Sequence, residues 1–352
     1  MSLPYRAFRI VKQFKHSKFM EANTLEDVLN KSLSDNDKAI LRGLSKSQQQ
    51  KILQWLKDCQ KAKANILITG ATGCGKSSTI NALFETEKAK VGTGADPETM
   101  DIAKYDLGNL ILWDSPGLGD SPDADKRHSA GIIKKLKERD ENNKLLIDVV
   151  LVILDGSVRD MGTSYDLITK VIAPNLGEKP EKRLLIGINQ ADQAMKGRNW
   201  DSENHKPNAE LAHFLDEKEK SVKQRIKEGC GISVEPIAYA AGYKEEGKPQ
   251  DPSYNISKLM YYIVDSIPSK KRIATISHQN KRRPTSDDGK MDYNKEITKK
   301  TFFEVVAENY EAGKAVGESI GKVIPYVGKE TGGAIGGTIG AVYGVFKGIF
   351  GD

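Results

Sequence analysis

Between residues 64 and 268, short apolar runs alternate with longer polar stretches whose few apolar residues recur at helical spacing. The runs Ile66 to Thr69, Leu110 to Trp113, Val149 to Leu154, Leu184 to Asn189 and Val234 to Ala238 have the length of strands, and their unbroken apolar character predicts burial on both faces. Helices are predicted over Ser78 to Phe84 and Ile256 to Ile267. Strands separated by helices give a mostly parallel, doubly wound α/β sheet. One exception is expected: Asp101 to Leu107 meets Leu110 to Trp113 through a tight turn at Asp106 to Asn109, which makes an antiparallel edge.

The flanks follow other rules. Leu25, Val28, Leu29 and Leu33, then Ile40, Leu41, Leu44, Ile52, Leu53 and Leu56, fall at helical spacing, so residues 1–63 read as a helical N-terminal extension to a central domain over 64–268. Pro268 closes that domain, and Lys270, Lys271, Arg272, Lys281, Arg282 and Arg283 follow without apolar periodicity, so residues 269–300 read as an exposed basic linker. Residues 301–352 are expected to be a glycine-rich helical C-terminal segment, with Gly313, Gly317 and Gly321 on one face and Gly332, Gly336, Gly340, Gly344 and Gly348 continuing the spacing after Pro325. Small residues at every fourth position let helices approach closely, in a membrane or in a protein bundle. A bilayer span needs about 20 apolar residues, and Lys347 interrupts the run from Gly332 to Phe350. A membrane surface and a protein surface both stay open as partners of this segment.

A chain of 352 residues, 38% hydrophobic and 29% charged, has material for one large core with pieces left over. Its formal charge of +6 suits a polyanionic ligand or an anionic surface without singling out nucleic acid, which is the less favoured partner. Cys59, Cys74 and Cys230 are too widely spaced for a zinc site or a disulfide framework, and Arg6, Arg9, Lys12, Lys15 and Lys18 break up any apolar leader. The expected location is the cytoplasm, peripheral to the inner face of a membrane if the tail docks there.

The strand Ile66 to Thr69 runs into Gly70-Ala71-Thr72-Gly73-Cys74-Gly75-Lys76-Ser77, which fits GxxxxGK[ST] between a strand and a helix. Glycines let the backbone curl so that successive N–H groups and a helix N-terminus face phosphate oxygens, and Lys76 neutralises them. Gly70, Thr72, Gly73, Cys74, Gly75, Lys76, Ser77 and Ser78 are the candidate phosphate contacts, with no chemistry assigned to the Cys74 thiol. Ser77 is a candidate Mg²⁺ ligand. Asp114-Ser115-Pro116-Gly117 ends the next apolar strand as DxxG, placing the Asp114 carboxylate near the same metal and the Gly117 N–H near a terminal phosphate. Between these motifs the polar segment from Val91 to Met100 holds two hydroxyl candidates for metal and phosphate, Thr93 and Thr99.

Asn189-Gln190-Ala191-Asp192 follows the strand from Leu184. A carboxylate there accepts two hydrogen bonds from guanine N1 and N2, a donor pair adenine lacks, so Asp192 selects guanine. Asn189 is expected to tie this loop to the phosphate loop, Gln190 stands where a lysine commonly covers the base, and Ala240 and Ala241 are weak candidates for a backbone contact to guanine O6.

The stretches Gly70 to Phe84, Asp96-Pro97-x-Thr99, Asp114 to Ser121 and Asn189 to Asp192 with Trp200-Asp201, all between Asn65 and about Pro268, resemble the Era/TrmE-like branch of P-loop GTPases. Closer likenesses are the YfjP-like bacterial GTPases and, further off, the interferon-inducible immunity-related GTPases. The resemblance implies a Ras-like domain, Mg²⁺-dependent hydrolysis of GTP to GDP with movement of switch loops, and Thr99 as the switch hydroxyl; Lys76, Thr99 and Gly117 are then the catalytic contacts, and Ser77, Thr99 and Asp114 the metal contacts. Leu118 stands where many small GTPases carry a water-orienting glutamine, so backbone, another switch residue or a group supplied in trans must position the water, and a homodimer through the same domain is one source. A membrane-associated GTPase of immunity-related or dynamin-like type and a ribosome- or RNA-associated GTPase are the other readings.

Overall fold

The computed structural model describes residues 61–86, 90–93, 101–159, 161–243, 250–280, 284–297 and the single positions 54, 58 and 301. The helical extension read over 1–63 lies outside these residues but for its last few positions, and the glycine-rich segment lies outside them but for residue 301. One compact unit runs from Lys63 to Thr298.

Its strands are β1 (Ala64–Gly70), β2 (Lys90–Thr93), β3 (Ala103–Asp106), β4 (Leu110–Asp114), β5 (Val149–Asp155), β6 (Leu184–Asn189), the hairpin β7 (Trp200–Asp201) with β8 (Lys206–Pro207), β9 (Ile237–Ala238), β10 (Ser253–Tyr254) and β11 (Thr285–Ser286). The main sheet has the order β2-β3-β4-β1-β5-β6-β9. β4, β1, β5, β6 and β9 are parallel, and β2 and β3 add the antiparallel edge. The expected pairing of Asp101 to Leu107 with Leu110 to Trp113 is present, with Asp106 opposite Ile111. A further strand, β2, places Thr93 opposite Ala103, where sequence reading had only a polar loop.

Side-chain alternation along the central strands feeds two cores, as a doubly wound sheet requires. On one face Leu67, Val150, Val152, Leu154 and Ile186 pack under α2 (Pro122–Lys137), the helical stretch that begins as α3 (Gly162–Asp166), and α4 (Ala209–Cys230). On the other, Ile66, Ile68, Leu151 and Ile153 meet α1 (Lys76–Leu83), α5 (Ile256–Ser266) and α6 (Ser269–Ser277). The strand order turns at β1, whose neighbours are β4 on one side and β5 on the other, so a crevice opens beyond the carboxyl ends of these strands.

Two expectations are corrected. The strand read over Val234 to Ala238 is reduced to Ile237–Ala238, because Pro236 has no N–H to give the ladder. The reading of residues 269–300 as an exposed linker fails at its start: Ser269–Ser277 is α6, with Ile273 and Ala274 buried. Its cations hold it there. Arg272, itself buried, donates to the carbonyls of Ile267 and Asp265 at the C-terminal end of α5, and Lys271 pairs with the buried Asp148 at 2.8 Å. Lys281, Arg282 and Arg283 lie outside the described residues.

Candidate functional site: a phosphate cradle joined to a base-reading loop

The cradle begins where β1 leaves the sheet. Gly70 has φ +153°, and a side chain there would put Cβ 2.3 Å from the Ile153 carbonyl oxygen; Gly75 has φ +87° and would put Cβ 2.2 Å from Asn189 Nδ2. Both places require glycine for conformation and for space. Cys74 is fully buried, and burial pushes its thiol up to about 11 against the pull of Lys76, so it is a packing residue without thiolate character. Lys76 lies along the loop, donating to the carbonyls of Gly70 at 3.4 Å and Ala71 at 3.2 Å. Ser77 is exposed at the start of α1.

The DxxG loop is bonded onto this cradle. Thr72 N–H donates to Leu118 O at 2.9 Å and Leu118 N–H to Gly70 O at 3.3 Å, so the loops form a parallel bridge at Ala71 and Leu118. Gly117 sits against Thr72 so closely that a Cβ would fall 2.3 Å from the threonine Oγ1. At the tip of β4, Asp114 Oδ1 is buried with no hydrogen-bond partner. Burial raises this carboxyl to about 6, and the nearby Lys76 ammonium pulls it back. Leu118 is buried in the core under α2 and offers the crevice no polar group.

Asn189, at the end of β6, donates from Nδ2 to Cys74 O at 3.0 Å and accepts on Oδ1 from Ala241 N–H at 3.0 Å. One side chain thus joins three loops; the tie to the phosphate loop is the one expected from the motif, and the tie to Ala241 is added by the fold. Gln190, in the left-handed region at φ +62°, donates to Gly73 O at 2.9 Å. Asp192 stays part-exposed at this edge, with Gln193 donating to its Oδ2 at 2.6 Å. The amides of Ala240 and Ala241, the weak candidates for a base contact, are bonded within the protein: the Ala240 N–H goes to Tyr254 O at 3.1 Å and that of Ala241 to Asn189, and Gly242 supplies the next amide along the loop. Thr99, with Asp96 and Pro97, lies outside the described residues.

Residues 65–190, which carry the phosphate cradle, the DxxG loop and the first two residues of the Asn189 to Asp192 loop, match a family model described as 50S ribosome-binding GTPase. This part of the chain has the P-loop GTPase fold. Mouse interferon-gamma-inducible GTPase 10 is 44% identical over 72 residues, covering 18% of this chain and 17% of that protein. The probable GTP-binding protein EngB of Methanococcus aeolicus is 32% identical over 140 residues, covering 38% of this chain and 60% of that one. The Escherichia coli (strain K12) protein YfjP is 30% identical over 158 residues, covering 44% and 50%. The chain therefore spans between 17% and 60% of the length of these curated relatives.

Three residues of the GTPase domain escaped sequence reasoning. Tyr239, fully buried, meets Thr79 Oγ1 at 2.7 Å and fixes the base-side strand to α1. Gln250 donates from Nε2 to Ala241 O at 2.6 Å and to Ser78 O at 3.1 Å, which draws Ser78 into the scaffold through its carbonyl. His128 on α2 contacts Gly117 O at 3.2 Å. Only His128 had a signal: with Asp125 and Ile132 it falls on one helix face, at a place where the period calls for an apolar residue.

Proposed function

We propose that this chain binds GTP through Asp192 and the Gly70 to Ser77 loop and hydrolyses it to GDP and phosphate, with switch loops that respond to the terminal phosphate. The observation that carries the reading is the Asn189 bridge, which holds a base-selective carboxylate loop and a phosphate cradle at a fixed spacing. On phosphate binding the Lys76 ammonium exchanges its two weak carbonyl contacts for charged oxygens, a stronger class of hydrogen bond. The bridge at Ala71 and Leu118 fixes the Gly117 backbone beside the cradle, where its N–H serves a γ-phosphate.

The donor set fits Mg²⁺. Asp114 Oδ1 is a buried hard oxygen lacking a partner, and Ser77 presents a hydroxyl on the adjoining helix, so these two would hold the ion together with nucleotide phosphates, and Thr99 would join them on the family likeness. When bound, the ion offsets the negative charge that develops on the phosphate oxygens during transfer. Asp192 meets guanine N1 and N2, and the Gly73 to Gly75 backbone orients the β-phosphate. The motif stretches support a reading of the domain as one of the Era/TrmE-like branch, and the lack of a polar side chain at Leu118 favours a second copy of the domain as the source of a water-orienting group.

Titrations with GTP, GDP and ATP, run with hydrolysis assays across protein concentration on the parent, Lys76→Ala and Asp192→Asn, test this. Guanine-selective binding lost in both variants is expected, with specific activity rising as the protein self-associates. ATP preference would end the reading. A second reading, a membrane-acting GTPase at the cytoplasmic face, draws on the identity with the mouse interferon-inducible protein together with the small-residue spacing from Gly313 to Gly348. Liposome flotation unchanged by deleting residues 313–352 would remove it.

A further inference from the structure

We propose that His128 couples the two nucleotide-sensing segments of the domain, as a positioning residue standing between the Gly117 carbonyl and the Asp101 carboxylate. The inference rests on the GTPase reading above. His128 is 9% exposed, and its Nδ1 lies 3.2 Å from Gly117 O. A carbonyl oxygen only accepts, so Nδ1 carries the proton in this contact. Nε2 is thereby turned toward Asp101, 3.8 Å from its Oδ2 and beyond hydrogen-bond range, an approach that attracts where Nε2 also carries a proton and repels where it does not, so in either case the ring and the carboxylate respond to each other. Arg127 Nε holds the same oxygen at 3.3 Å. Asp101 follows closely on Thr99, and Gly117 closes the DxxG element.

α2 grips the second segment at further points. Gly119 N–H donates to Asp125 Oδ1 at 2.8 Å, and Ser121 caps the helix by accepting from Ala124 N–H. Beyond Gly117 the chain is already bonded to the phosphate cradle through Leu118. Movement of the Gly117 peptide toward a phosphate must therefore either break the imidazole contact or carry the imidazole with it. In the second case the ring shifts against Asp101, and the first segment feels the phosphate that the second has met. Leu118 offers no polar side chain to place the water, whatever group does so, and the setting of the adjacent Gly117 backbone therefore has more influence on turnover here than in a domain with a glutamine at that position.

The test uses the full chain with His128→Ala, His128→Asn, Asp101→Asn and the double variant Asp101→Asn with His128→Ala. Fluorescent GDP and GTP analogues give dissociation constants, and single-turnover assays give the hydrolysis rate. Asparagine puts its amide nitrogen where histidine has Nδ1, so it keeps the Gly117 contact and loses the reach to Asp101. GDP affinity should stay at the parent level throughout, while hydrolysis falls roughly tenfold to a hundredfold in His128→Ala, the scale of a small misplacement at a reacting centre. His128→Asn should recover part of the loss, Asp101→Asn should match it, and the double variant should be no slower than His128→Ala alone. Parent-rate hydrolysis in His128→Ala overturns the proposal. If that variant does not fold, parent rates in both His128→Asn and Asp101→Asn do so, as does a loss of GDP affinity in step with rate, which marks a packing role. A parent that fails to bind GTP overturns the GTPase reading itself; a parent that binds and hydrolyses it beside equally active variants overturns only the coupling.

Discussion

The two ends of the nucleotide crevice are built on opposite plans. At the base end the groups that tie the loop together are satisfied by protein: Asn189 by Cys74 and Ala241, Gln190 by Gly73, and Ala240 by Tyr254. At the phosphate end Asp114 Oδ1 has no partner and Lys76 rests on carbonyls at 3.2 and 3.4 Å. The satisfied end behaves as a rigid gauge for a planar base. On the proposed function, the unsatisfied end stores unfavourable electrostatics that a triphosphate and its cation would relieve, which would concentrate binding energy at the phosphates.

The contrast breaks most completely at Asp192. Asp192→Asn removes the acceptor pair for guanine while touching no scaffold bond except that of Gln193, and GTP affinity should fall by about two orders of magnitude. Competition between GTP and ATP analogues reads the loss, and unaltered melting of the nucleotide-free chain separates it from unfolding. Asn189→Ala attacks the gauge itself: leaving Cys74 O and Ala241 N–H without partners should cost about 2–3 kcal/mol in unfolding free energy, with nucleotide affinity falling alongside. A denaturant titration that finds the variant as stable as the parent would refute the account of the base end.

Asp114→Asn acts in the opposite direction. A folded carboxyl near pKa 6 keeps its proton between about pH 4 and pH 6, where the unfolded chain has lost it, so Asp114 favours the fold as pH falls through that window and opposes it above. The nucleotide-free variant should therefore be more stable than the parent above pH 6, by about 3 kcal/mol, with the gap closing toward pH 4. Thermal melts across that range check it, and loss of Mg²⁺-dependent GDP binding in the same variant confirms the carboxylate's use. The smallest effect is expected at Thr79→Val, which removes the hydroxyl facing Tyr239 and should cost about 1 kcal/mol of stability while nucleotide selectivity is kept.

What the sequence made legible follows the same division. The central strands, the antiparallel edge at Ala103–Asp106 and the cradle glycines were readable because each has a local cause: apolar runs, a tight turn, a positive φ. Asn189 was readable because its motif fixes its neighbours. The failures share a different cause. The partners of the Ala240 and Ala241 amides were not readable because they are Tyr254 and Asn189, which no local pattern points to. The basic stretch after Pro268 looked solvated because nothing local reveals that Asp148 and the end of α5 await Lys271 and Arg272. Gln250 and Tyr239 each bond a partner far along the chain, at Ser78 and Thr79.

The Asn189 bridge also dictates a schedule for synthesis. Its two partners emerge at opposite ends of the domain, Cys74 early and Ala241 late, so a ribosome-bound chain that has reached β6 still has an unfinished cradle. Nucleotide capture must wait for the last strand of the sheet, and contacts of such long sequence separation are slow to close. Nascent chains halted before Ala241 should accordingly remain blind to GTP, however complete their early strands.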